Sequence, residues 1–262
     1  MKFHWMDRGR LNNPQEIKNL ANILDKYKYY SLLLTYHSKQ DDLLIKSLLA
    51  ADNNIKLKFM IAIRTYSISP EYLSMICQSY NKSFTNKIML NITSGDIHLD
   101  ETSIEDIPLF KEYFDTPEKR LNYTEEWTKK FIEICSNKYL PELVMAGHST
   151  KTRLMANKFN ATHLAMLDMH FKYIKESNII VNNKQMVSLS IIIRNDIDDA
   201  KDFLLKNNTA GAENWTLIGN KEEVKKEILN LNKLGITDII ISQCPNDDQI
   251  HLVHELIKEL SE

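Results

Sequence analysis

The sequence predicts the α/β class, and within it a compact (β/α)8 TIM barrel forming one domain over residues 1–262. Eight short runs rich in β-branched and apolar residues alternate with longer amphipathic stretches, the pattern of parallel strands joined by helices. Most of these runs are apolar at successive positions, as strands buried on both faces must be. No GxGxxG or GxxxxGK[ST] follows the first run, so the fingerprint of the open, doubly wound alternative is missing.

In chain order the strands are read as KFHW (2–5), YSLLLTY (30–36), KLKFMIAIR (56–64), KIMLNIT (87–93), ELVMAG (142–147), THLAML (162–167), VSLSIII (187–193) and DIIIS (238–242). Helices are marked by their ends. Pro14 opens NPQEIKNLANILDKYK and Pro70 opens SPEYLSMICQSYNK; proline loses nothing in a first turn, where its missing N–H has no intrahelical partner. PEKRLNYTEEWTKKFIEIC follows the same logic, and NKEEVKKEILNLNKLG ends on Gly235 just before the last strand, a position suited to a C-cap. No linker rich in Pro, Gly or Ser and no short repeat breaks the alternation.

Composition narrows the function classes. An apolar fraction of 43% and a charged fraction of 26% describe a globular chain, and a net charge of −2 offers no electrostatic case for nucleic acid or an anionic membrane. No apolar run approaches a membrane span and no signal-peptide pattern opens the chain, so a cytoplasmic location is expected. Cys77, Cys135 and Cys244 are widely spaced, in keeping with a reducing compartment, and form no CxxC or Cys/His metal pattern. Only six glycines occur, which makes each one informative.

From Gly95 to Pro117 run 23 residues without strong periodicity, carrying His98 and Phe114. Connections of this length in a compact domain are commonly functional, and this one leaves the C-terminal end of the fourth strand, the barrel face that carries chemistry. A second irregular stretch, KNNTAGAENW (206–215), follows the seventh strand.

Strand ends supply the candidates. GHST (147–150) sits between strand and helix, where a glycine, two hydroxyls and first-turn N–H groups could cradle a phosphate; an ordinary Ser or Thr N-cap is the plain alternative. His4, His37, His98, His148 and His170 offer acid/base groups, but none has HxH or HExxH spacing, so no metal is expected. No GxSxG elbow is present. Arg64 and Arg194 end apolar strands; two such cations at one mouth would favour an anionic ligand, and simple solvation is the alternative. Asp96 and Asp168 are too isolated to be read as an acid/base pair.

Four blocks in order carry a resemblance. KLKFMIAIRTYSISPEYLSMICQSYNKSFTNKIMLNITSGD is similar to the third strand, SP-initiated helix and fourth strand, with its N-[LV]-V-T-[GS] ending, of bacterial luciferase-like flavin-dependent monooxygenases, nearest to the alkanesulfonate monooxygenase branch. PEKRLNYTEEWTKKFIEI resembles that branch's ERY…E-F…W helix, LPELVMAGHSTKTRLMANKFNATHLAM its fifth strand and helix, and WTLIGNKEEVKKEILNLNKLGITDIIIS its C-terminal end. The resemblance implies a (β/α)8 barrel binding reduced FMN at its C-terminal mouth, with dioxygen and a small organic molecule as substrates. It implies that Asn91 and Thr93 line the isoalloxazine, that Arg64 lies near the ring with Arg120 nearby, and that Gly147, His148, Ser149 and Thr150 hold the phosphate. A separate flavin reductase would supply the electrons, and relatives are commonly homo-oligomers, dimers or tetramers. His4, His37 and His148 are the acid/base candidates by position.

The departures shape the expectation. The chain is shorter than most of that family. Ser188 and Ser190 stand where the sulfonate branch has Arg and His, its lid arginine falls near Ala210 or Gly211, and the tyrosine after strand eight falls at Cys244. Leu121 replaces the tyrosine of ERY, with Tyr123 close by. The substrate expected is therefore an unidentified, non-sulfonate organic molecule. The alternative is a catalytically altered barrel serving as a flavin-binding or heteromeric accessory subunit.

Overall fold

Along the chain run β1 (Lys2–Asp7), α1 (Pro14–Lys26), β2 (Ser31–Leu34), α2 (Leu43–Ala50), β3 (Lys58–Arg64), a 3-10 turn (Thr65–Ser67), α3 (Pro70–Ser83) and β4 (Ile88–Thr93). They are followed by α4 (Pro117–Ile134), β5 (Glu142–Ala146), α5 (Thr150–Lys158), β6 (Thr162–Met166), β7 (Gln185–Ile193), α6 (Ile197–Asn207), β8 (Thr216–Gly219), α7 (Lys221–Lys233), β9 (Ile236–Gln243) and α8 (Asp247–Ser261). The computed structural model describes residues 1–7, 11, 13–35, 42–85, 87–95, 116–135, 138–167, 184–207, 216–243 and 247–261. The long connection after Gly95 and most of KNNTAGAENW lie outside the described residues.

Helix starts are fixed by side chains that satisfy first-turn N–H groups. Asn13 accepts from the Glu16 N–H at 2.9 Å, Ser69 from Tyr72 at 3.2 Å and Thr116 from Lys119 at 3.2 Å. Asn220 and Glu223 form a reciprocal capping box. Gly235, at φ +91°, follows α7 as its C-terminal glycine.

Eight parallel strands close in the order β1–β2–β3–β4–β5–β6–β7–β9 and back to β1. The barrel predicted from sequence is therefore the fold. Among the described residues β8, absent from the sequence reading, pairs with Ser190–Ile193 at the far end of β7 and with no other strand, so the expected eighth strand is β9. Register shifts between β7 and β9 occur at Gln185/Met186 and at Leu189/Ser190, the second where β7 begins to pair with β8.

Side-chain alternation sorts the barrel interior into layers. One inward residue from each of seven strands, Leu33, Met60, Met89, Val144, Leu164, Met186 and Ile240, forms a buried apolar plug, with Met6 of β1 packed against it. Outward-facing residues such as Phe3, Leu34, Ile61, Leu90, Val187 and Ile239 join the helices in the larger core. Two positions upstream of the plug, where strands begin, lie His4, Ser31, Lys58, Glu142 and Asp238. Two positions downstream, where strands end, lie Ala62, Asn91, Ala146, Met166, Ser188 and Ser242. The plug thus separates a charged floor from an uncharged layer at the base of the mouth, beyond which Arg64 ends β3.

Candidate functional site at the barrel mouth

The mouth is built from strand ends. Asn91 and Thr93 share the inward face of β4, Ala62 and Arg64 that of β3, and Arg64 pairs in register with Thr93. Arg64 donates from Nη1 to the Tyr66 hydroxyl at 3.1 Å. Gly95, at φ +74°, sits under the same ring: a Cβ there would lie 2.8 Å from Tyr66 Cε1. A side chain at this position would both strain the backbone and displace the tyrosine. Tyr66 therefore joins the ends of β3 and β4. Thr65 and Thr124 share a hydroxyl hydrogen bond at 3.0 Å, which docks α4 on the end of β3. Arg120 lies one turn before Thr124 on the same helix face and is buried.

Two inward polar atoms are conspicuous. Asn91 Oδ1 and Ser190 Oγ are buried, on residues 5% exposed, and neither has a hydrogen-bond partner among the described residues. A buried acceptor or hydroxyl left unpaired costs about 1–3 kcal/mol, so these groups suit a ligand that completes them. The Ser242 hydroxyl is already committed to the Leu189 carbonyl at 3.1 Å.

GHST forms the connection from β5 to α5. Ser149 is the N-cap: its hydroxyl accepts from the Thr152 N–H at 3.1 Å and lies 2.8 Å from the Thr152 hydroxyl. The plain capping role is thus realised for Ser149. The N–H of Arg153 is taken by the Ser149 carbonyl, so the first-turn donors facing outward are those of Thr150 and Lys151. Gly147 adopts φ +152°, and a Cβ on it would meet Thr152 Oγ1 at 2.9 Å. Only glycine keeps this backbone approach open.

Behind the loop lies a residue absent from the sequence candidates. His163 of β6 is fully buried and its Nε2–H donates to the Gly147 carbonyl at 2.9 Å. Burial, the nearby Arg153 guanidinium and His148 push its pKa down to about 4, so it is neutral. Arg153 of α5 is itself fully buried. No sequence signal identified either residue, because a lone polar residue in an apolar run reveals its facing only once register is known.

The structure brings Arg64, Asn91, Thr93, Arg120, Gly147, His148, Ser149 and Thr150 to the end of the barrel where strands finish. His37, His98, His170, Asp96 and Asp168 lie outside the described residues. His4 is elsewhere. β1 continues to Asp7 rather than stopping at Trp5, which makes His4 an early strand residue on the floor. There it is fully buried, with Nδ1 2.6 Å from Ser31 Oγ and Nε2 3.0 Å from Asp238 Oδ1. Arg194 sets its guanidinium 3.9 Å over the Phe203 ring of α6. Among the described residues no group of three or more His, Cys, Asp or Glu could hold a metal, and no helix is long and apolar enough to cross a membrane.

The residues present fit a flavin nucleotide. An unpaired buried amide oxygen on a half-open wall suits the hydrogen-bonding edge of a planar ring, and a glycine-opened helix start suits its phosphate.

No protein-family model matches the sequence, and no curated protein matches it. Solved structures do. EDTA monooxygenase (EmoA) from Chelativorans sp. BNC1 is similar with a TM-score of 0.77 at 10% identity, over 100% of this chain and 93% of that one. The oxygenating constituent of 3,6-diketocamphane monooxygenase from Pseudomonas putida, in complex with FMN, gives 0.67 at 13% identity over 100% and 97%. An F420-dependent secondary alcohol dehydrogenase in complex with an F420-acetone adduct gives 0.68 at 12% over 98% and 97%. At such identities the likeness is one of fold: this chain has the (β/α)8 barrel found in these three proteins.

Proposed function

We propose that the protein is a flavin-dependent monooxygenase that uses reduced FMN and dioxygen to oxygenate a small, uncharged organic substrate. The observation that carries this reading is the pairing, at one end of the barrel, of an unpartnered buried Asn91 amide oxygen with the glycine-opened start of α5. The FMN complex of a barrel with the same fold supports it. Asn91 and Thr93 would contact the ring, Arg64 and Arg120 would add positive charge near it, and residues 147–150 would take the phosphate through backbone N–H groups and the Thr150 hydroxyl. When bound, reduced flavin supplies two electrons to dioxygen, so that one oxygen atom enters the substrate and the other leaves as water. His148, half-buried beside the cradle, holds or moves the proton at an imidazole nitrogen; His37 is the second candidate for that role.

The uncharged substrate class rests on Ser188, Ser190 and Ser242, whose inward positions bring hydroxyls and no charge to the wall of β7 and β9. Electrons come from a separate flavin reductase, since the chain has no nicotinamide fingerprint. The working form is a homo-oligomer, supported by an exposed apolar face on α2 and α3.

Anaerobic titration with reduced FMN, oxidised FMN and F420 tests the cofactor. The expected result is preference for reduced FMN, weakened roughly tenfold in Asn91→Ala by loss of one buried hydrogen bond. Absence of binding to either form of FMN would sink the reading. Oxygen uptake with an alkane or ketone, set against an alkanesulfonate of equal chain length, tests the substrate class.

A further inference from the structure

We propose that His163 is a positioning residue for this anion cradle: its imidazole clamps the Gly147 carbonyl and so fixes the direction of the N–H groups that receive phosphate. The inference rests on the flavin reading above and adds a residue from outside the mouth.

Both polar atoms of the Gly147 backbone are anchored to β6. Its N–H donates to the Leu164 carbonyl at 3.1 Å, and its carbonyl accepts from His163 Nε2–H at 2.9 Å. In a trans peptide the carbonyl of residue 147 and the N–H of residue 148 point in opposite directions. Holding the carbonyl against the buried imidazole therefore turns the His148 N–H away from β6. Gly147 needs such a clamp because its φ of +152° is a conformation that glycine readily leaves. The next residues are locked by the Ser149 cap, so the loop is pinned on both sides of His148.

Donation to a carbonyl fixes the tautomer: the proton sits on Nε2, and Nδ1 is left as an acceptor without a partner among the described residues. Among the described residues, the charged or titratable groups acting on the ring are Arg153 from α5 and His148 from the loop. A phosphate bound at the loop would bring a negative charge near the ring, and its arrival should raise the His163 pKa from about 4.

The test compares His163→Gln, whose amide can still donate to Gly147, with His163→Leu, which cannot. Affinities for reduced FMN and reduced riboflavin are measured anaerobically by flavin fluorescence. FMN affinity should fall roughly tenfold in His163→Leu, the cost of one misaligned charge-assisted contact. It should stay within about threefold of wild type in His163→Gln, and riboflavin affinity should be unchanged in both. Equal FMN affinity in wild type and His163→Leu, or an equal loss in His163→Gln, overturns the clamp. A wild-type protein that binds neither flavin overturns the flavin reading and this one with it. Imidazole NMR on the wild type keeps the test independent of variant stability. It should report the Nε2–H tautomer and an upward-moving His163 titration on FMN addition while His254 stays put; an unmoved His163 also overturns the proposal.

Discussion

At the scale of single residues the barrel floor shows how strictly a buried polar group must be matched. His4 is a neutral imidazole: burial holds its pKa below the ordinary value. Its Nε2–H donates to Asp238, and its Nδ1 is left to accept from Ser31. Burial alone would raise the Asp238 pKa, but the hydrogen bond from His4, with Thr237 and Lys2 adding to it, holds it below the usual carboxylate range. Nearby, Glu142 binds Lys58 and Tyr30, which outweigh burial and bring its pKa to about 2. Ser, His and Asp are in line, yet Ser31 and His4 are 0% exposed, so no substrate reaches them. Their role is to satisfy one another. Asp238→Ala strands the imidazole N–H in the interior and should lower unfolding stability by about 2–3 kcal/mol. Because the apolar plug lies between, flavin affinity should be unaffected. Urea unfolding and flavin titration of the same variant check both halves; a loss of flavin binding with unchanged stability would place the network in the wrong role.

At the scale of elements, α8 is fastened to the start of the barrel by aromatic packing around one histidine. His254 is 3% exposed, stacked on Tyr27 with centroids 4.8 Å apart, and bonded through Nδ1 to the Tyr29 hydroxyl at 3.0 Å. Trp5 leans on it from β1, 5.3 Å between centroids. Burial, assisted by His251, pushes its pKa down to about 4. The unfolded chain protonates near the ordinary value of about 6.5, so between those limits the unfolded state binds more protons than the folded one. Stability is therefore complete above about pH 6.5 and is lost as pH falls towards 4. The slope approaches about 1.4 kcal/mol per pH unit for each such histidine, and His163 and His4, also held below the ordinary value, add to it. Carboxylates held below their ordinary values contribute only under about pH 5. Denaturant unfolding between pH 6.5 and 5 should thus show a positive slope that falls by about a third in His254→Gln. An unchanged slope would mean that His254 is solvated and α8 loosely docked.

At the scale of the whole molecule, the barrel was legible because its strands are apolar on both faces and glycine and proline mark the helix ends. β8 escaped because TLIG is four residues long and depends on the end of β7 for its pairing. The strand-to-helix turn at 147–150, with Ser149 as its N-cap, was legible from a glycine and two hydroxyls between strand and helix. His4 was misplaced by extending β1 only to Trp5, and His163 and Arg153 were invisible because facing depends on register. One more whole-molecule feature follows from helix pattern. α2, LLIKSLLA, turns Leu43, Lys46, Ser47 and Ala50 inward, yet its outer side is also apolar: Ile45, Leu48 and Leu49 are 59%, 48% and 65% exposed. Tyr72 and Met75 of α3 extend the patch, and a hollow of about 280 Å³ opens between the two helices. A helix apolar all round is normally covered. Here projecting side chains and a hollow occupy one face, which the homo-oligomer proposed above would use for a two-fold contact with a second copy. A stable contact needs about 800 Å² from each partner, a scale that two adjacent helix faces can supply. Leu49→Glu with Met75→Glu buries like charges against their symmetry mates and should convert the oligomer to smaller species in light scattering after size exclusion, with the barrel still folded by circular dichroism. A wild-type monomer at tens of micromolar, the range expected of a weak interface, or an oligomer untouched by both glutamates, would assign this face no such role.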